Sequence, residues 1–92
     1  MTRLGRVFEI RYAEDFCDKY LKHMPQDCKD RIKIFITKRL AVSPHETGEP
    51  LKGTLAGLWR ARVGDYRIIY SIQKEQVFIL IIKIGHRKNV YR

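Results

Sequence analysis

The sequence predicts an α+β fold, a sheet backed by two helices, and three observations carry that prediction. Apolar residues recur at helical spacing over 13–41, three β-prone runs follow between 57 and 84, and Gly64-Asp65 joins the first two runs as a tight hairpin. A β-prone run ahead of the helices, GRVFEIR at 5–11, adds an N-terminal strand, so that the three-stranded antiparallel meander completes a four-stranded sheet.

Each helix has its own stripe. In AEDFCDKYLKHM (13–24) the apolar residues are Phe16, Cys17, Tyr20, Leu21 and Met24, with Glu14 and Asp15 where they favour a helix N-terminus. Pro25 ends this helix or opens the next. The second helix, about 26–41, carries Asp27 and Asp30 near its start and Lys38 and Arg39 near its end, with Cys28, Ile32, Phe35, Ile36 and Leu40 along one side. Together they read as an antiparallel helical hairpin. AVSPHETGEP (41–50), with two Pro and one Gly, reads as a connecting loop.

The strands are placed at about 57–63, 66–72 and 76–84. A two-residue Gly64-Asp65 turn, with Gly where positive φ is needed, fixes the first pairing. Val63 then opposes Tyr66, Arg62 opposes Arg67, Ala61 opposes Ile68, Arg60 opposes Ile69 and Trp59 opposes Tyr70. Alternation puts Trp59, Ala61, Val63, Tyr66, Ile68 and Tyr70 on one apolar face, ready to receive the helices, and Arg60, Arg62 and Arg67 on the other. Like charges at opposed positions destabilise a strand pair. The sole acid within 57–72 is Asp65, at the turn, so either an anion from outside the chain neutralises the Arg62–Arg67 pair or the two long side chains splay into solvent. QVFILIIKIG is apolar on both faces, as an interior strand is, and runs into HRKNVYR, which brings His86, Arg87 and Tyr91 within reach of a sheet face.

Ninety-two residues make one domain, 1–92, with one modest core, and 45% hydrophobic residues suffice for it to fold. The formal charge of +9 is uneven: residues 1–50 hold ten Lys/Arg against eight Asp/Glu, and residues 51–92 nine against two. A basic excess concentrated in one half points to a polyanionic partner: nucleic acid, an acidic protein or an anionic surface. Guanidinium groups that fork onto phosphates beside an aromatic ring that stacks on a base suit single-stranded RNA. Cys17 and Cys28 lack metal-site spacing and read as reduced thiols, and no metal or cofactor is expected. With no apolar leader at the N-terminus and no run of 18 apolar residues, a cytoplasmic protein without a membrane partner is expected.

The run LKG…LWRARVGDYRIIYSI…VFILIIKIGHRKNVYR resembles the RelE branch of the RelE/ParE toxin superfamily, and the element order extends that resemblance over nearly the whole chain. The resemblance implies a RelE-like fold and a ribosome-dependent, metal-independent endoribonuclease toxin of a type II toxin–antitoxin system. Such a toxin cuts A-site messenger RNA by 2′-OH attack and is restrained by a RelB-like antitoxin, through which alone it reaches operator DNA. It also implies catalytic roles for Arg60, Arg62, Arg67, Arg87 and Tyr91. His86, the histidine nearest them, is a candidate for proton transfer. Lys52, Arg60, Lys83 and Lys88 are the expected RNA-binding residues. Some relatives carry lysine where this chain has Arg60 and Arg62, and arginine does not give up its proton, so a base role there does not carry over. Two other readings stay open at this level: a ParE-like toxin that inhibits DNA gyrase by binding it, and a non-catalytic RNA-binding domain.

Overall fold

A computed structural model describes residues 7–86. The first strand, β1 (Glu9–Tyr12), is followed by a short helical segment, Cys17–Leu21, and then by helix α1 (Gln26–Phe35), which continues as Ile36–Leu40. Both short segments are wound with i→i+5 bonds: Lys22 donates to the Cys17 carbonyl at 2.9 Å and Ala41 to the Ile36 carbonyl at 2.8 Å. A one-turn helix, α2 (Pro44–Thr47), and a two-residue strand, β2 (Glu49–Pro50), lead through a tight turn at Gly53–Leu55 to β3 (Trp59–Val63), β4 (Tyr66–Gln73) and β5 (Phe78–His86).

Among the described residues these strands form one five-stranded sheet in the order β1-β5-β4-β3-β2. β1 runs parallel to β5, and the other neighbours are antiparallel. The α+β class and the meander match the expectation, and the fifth strand is the addition. β2 lies inside the stretch read as a loop: its two residues include Pro50, and a proline-bearing strand this short at a sheet edge carries almost no periodic signal.

The β3–β4 register agrees with the sequence reading at all five pairs, from Val63↔Tyr66 to Trp59↔Tyr70. Gly64, at φ 60°, supplies the left-handed residue of the turn. Between β4 and β5 the pairing slips, because Ile69 faces Lys83 whereas Tyr70 faces Ile81, leaving Ile82 as an extra residue. Without that bulge, the alternation begun by Ile79 and Ile81 would drive Lys83 into the core. With it, Ile84 takes the inward position and Lys83 turns to the opposite face. β5 begins at Phe78, not 76, because Val77 sits at φ 56°, outside strand geometry.

The helices cover one face. Ile32, Ile36 and Leu40 of the helical stripe are buried with Phe16 against Ala61, Val63, Ile68, Tyr70, Ile79, Ile81 and Ile84. Cys17, expected in the first stripe, is exposed, since the wide winding of Cys17–Leu21 turns it outward. Tyr70 is fully buried (0% exposed) and donates its phenol hydrogen to the Pro44 carbonyl at 2.8 Å.

Truncating Ile68 or Leu40 to Ala should cost about 2–5 kcal/mol, measured as a lower denaturant midpoint at unchanged m-value. Burial raises the Tyr70 phenol well above its ordinary value of 10.0. A raised folded-state value means that this group's contribution is complete below pH about 10 and is lost as pH climbs beyond it, because the unfolded chain ionises first. Thermal melts from pH 8 to 11.5 should therefore show stability falling above pH about 10.

Candidate nucleic-acid interface

The sheet face turned away from the helices follows from register. Its residues form cross-strand rows: Glu49, Arg60, Ile69 and Lys83 in one, Arg62, Arg67 and Gly85 in the next. Toward β1 the same face continues through Ser71 and Leu80, then Gln73 and Phe78, where the Arg11 guanidinium lies 3.9 Å from the centre of the Phe78 ring. Arg11 is held there by an ion pair with Glu9 at 3.2 Å. Four cations, Arg60, Arg62, Arg67 and Lys83, thus gather with Glu49 at one end of this face, and the Glu9–Arg11 pair lies at the other. Arg62 is exposed and directly opposite Arg67, which is half-buried and donates Nη1 to the Tyr66 carbonyl at 3.3 Å.

For Arg60 a neutralising charge comes from within the chain. Glu49 sits across from it on β2, and the Arg60 guanidinium donates through Nη2 to the Glu49 carboxylate. A search for acids confined to the hairpin cannot find this partner, because the other neighbour of β3 comes from upstream. Thr47, Gly48, Glu49, Arg60 and Arg62 line an open cavity of about 340 Å³. This cavity places a proton-accepting carboxylate beside two guanidinium groups, a combination that can hold a phosphodiester and take a proton from a neighbouring hydroxyl.

The remaining expected residues are dispersed. His86 pairs with Tyr66 on the helix-side face, its ring edge-on to the Tyr66 ring at 6.0 Å, so the sheet stands between it and the arginines. There it lines a second cavity of about 230 Å³ with Cys28, Arg31, Asp65 and Tyr66. The parity shift at Ile82 decides this side, and only the bulge reveals it. Lys52 is exposed just past β2, toward the Trp59 end of β3, and does not line the arginine cavity. Arg87, Lys88 and Tyr91 lie outside the described residues.

The fold of this small α+β domain is that of a toxin family. The family model described as ParE toxin of type II toxin–antitoxin system, parDE, matches residues 11–91, and the chain belongs to this family, within the RelE/ParE superfamily. Toxin RelG of Mycobacterium tuberculosis is 40% identical over 53 residues, 58% of this chain and 61% of that relative, so the chain spans about three-fifths of its length. Toxin RelE of the same organism is 36% identical over 72 residues, 78% of this chain and 74% of the relative. Among solved structures, the toxin–antitoxin complex RelBE2 from M. tuberculosis superposes with a TM-score of 0.83 at 28% identity, covering 89% of this chain and 100% of that one. An archaeal RelE–RelB complex from Pyrococcus horikoshii matches at TM-score 0.68 and 26% identity, over 92% and 100% of the two chains.

Removing one of two facing like charges relieves repulsion. Arg62→Gln should therefore stabilise the fold by about a few tenths of a kcal/mol, seen as a slightly higher melting temperature, while weakening retention on a single-stranded RNA column and flattening its salt dependence.

Proposed function

We propose that this chain is a ribosome-dependent messenger-RNA endoribonuclease, the toxin of a type II pair, acting in the cytoplasm on the codon in the ribosomal A site. The observation that carries this reading is the convergence of Arg60, Arg62, Arg67 and Lys83 on one uncovered sheet face with the Glu49 carboxylate among them. Family membership and the RelE-named relatives support it.

In this mechanism Arg62 and Arg67 grip the scissile phosphate, Arg60 and Arg87 flank it, and Tyr91 stacks on a base. Lys52, Lys83 and Lys88 hold the neighbouring backbone. The 2′-oxygen attacks the adjacent phosphorus in line, the P–O5′ bond breaks to leave a 2′,3′-cyclic phosphate, and the departing 5′-oxygen, stabilised by Arg60 and Arg87, takes a proton from water; charge on the phosphoryl oxygens is met by guanidinium donors, each commonly worth roughly 3–4 kcal/mol. Glu49 takes the 2′-OH proton, a task closed to arginine. His86, behind the sheet, takes no part in the chemistry. No step calls for a metal. A site so poor in acid–base pairs depends on orientation, which the ribosome supplies by presenting the codon.

A cognate antitoxin, RelB-like as in the complexes with solved structures, supplies acidic and apolar residues to the basic face and mediates any contact with operator DNA. The family description favours one alternative, a ParE-type toxin that binds DNA gyrase. Induction that stops replication before translation would select it.

Arg67→Ala should reduce messenger cleavage on ribosomes by at least a hundredfold while the protein stays folded and antitoxin-bound, and Glu49→Gln should reduce it by about 10²–10⁴-fold. Primer extension on purified ribosomes reads both. Cleavage of naked RNA at the same rate would overturn the ribosome dependence.

A further inference from the structure

We infer that Tyr70, a core residue with no access to substrate, is a positioning residue for the site: its hydroxyl latches the 44–49 segment so that Glu49 is held against Arg60. This rests on the reading of the arginine face as the RNA-cleaving site.

The latch has three parts. First, the Tyr70 hydroxyl donates to the Pro44 carbonyl across 26 residues of sequence, and the ring is wholly buried. Its position is set from both sides, by Trp59, stacked at 6.4 Å between ring centres, and by the strand pairing with Ile81. The hydroxyl is thus a fixed point on the underside of the sheet.

Second, the chain passes over that point with no room to spare. A Cβ on Gly48 would come within 2.5 Å of the Arg60 carbonyl oxygen, and closer still to the Tyr70 hydroxyl. Gly48 is extended, with φ −127° and ψ −167°, so its glycine is required by contact and not by backbone conformation. Third, the next residue is Glu49, paired in register with Arg60 and in contact with its guanidinium. One hydroxyl therefore sets the height of a short edge strand, which has just two paired residues of its own, and the edge strand sets where the carboxylate stands.

β2 is too short to hold itself. A strand with two ladder positions, one of them proline, has little cooperative pairing of its own; past it the Leu51 amide donates to the Leu58 carbonyl at 2.8 Å, and ahead of it Thr47 Oγ1 donates to the Arg39 carbonyl at 3.2 Å. Loss of the Tyr70 hydroxyl leaves the Pro44 carbonyl without this donor and loosens the stretch between the Thr47 and Leu51 ties, where Glu49 stands. A carboxylate displaced by even 1 Å loses most of its value as a base, because proton transfer needs hydrogen-bond reach.

The experiment uses the full chain with Tyr70→Phe, which keeps the ring, and Gly48→Ala, which disturbs the same contact while leaving the core tyrosine in place. Amide exchange at Leu51 should accelerate at least tenfold relative to Ile68 in both variants. Cleavage of ribosome-bound message should slow about tenfold in each with ribosome affinity unchanged. In a Glu49→Gln background the same substitutions should add nothing. Equal slowing in both backgrounds would make Tyr70 a general stabiliser and overturn the inference, as would unchanged exchange at Leu51. A wild-type chain that leaves ribosome-bound message intact would instead remove the nuclease reading, while the exchange measurement still decides whether the latch exists.

Discussion

The register of the β3–β4 hairpin governs everything built around it. Gly64 takes a positive φ that a side chain would resist, the turn closes in two residues, and the pairing is locked because a slip by one position would turn one strand's apolar set away from the helices. Locked as it is, the hairpin delivers Ala61, Val63, Ile68 and Tyr70 to the helices and leaves Arg60, Arg62 and Arg67 on the far side. The core and the site are two sides of the same ribbon.

That arrangement sets stability against function in one place. Burying Ile32, Ile36 and Leu40 against the inner face yields several kcal/mol, enough to tolerate the repulsion of two facing arginines on the outer one. A domain selected for stability alone would place an acid at one of those positions. Glu49 instead approaches Arg60 alone, from a strand at the edge of the sheet. Among the described residues, the arginine end of the face keeps a net positive charge.

Much of this could be read from the residues. Period-two alternation and one glycine were enough for five correct hairpin pairs, and helical spacing picked out Ile32, Ile36 and Leu40. What could not be read depends on tertiary contact. β2 exists because a tyrosine twenty residues downstream anchors the segment before it, and nothing local in ETGEP announces a strand. The side taken by His86 depends on the extra residue at Ile82, whose one sequence trace is Lys83 standing among isoleucines where alternation would bury it. Glu49 is not legible as a counter-charge within the hairpin, because each inner strand of a sheet has two neighbours and β2 comes from upstream.

Ile69 lies on the arginine face yet is 6% exposed, with Arg60 and Lys83 as its cross-strand neighbours in the same row. The cations therefore stand on an apolar floor and not on hydrated backbone. Long basic side chains cover such a floor with their methylenes and raise their charged ends above it. Fewer water molecules compete for an anion that arrives there, and the low polarisability of the floor weakens screening from below, so each guanidinium acts on a phosphate more strongly than the same group on an open surface. A polyanion drawn to this face would in this sense be held partly by a hydrocarbon.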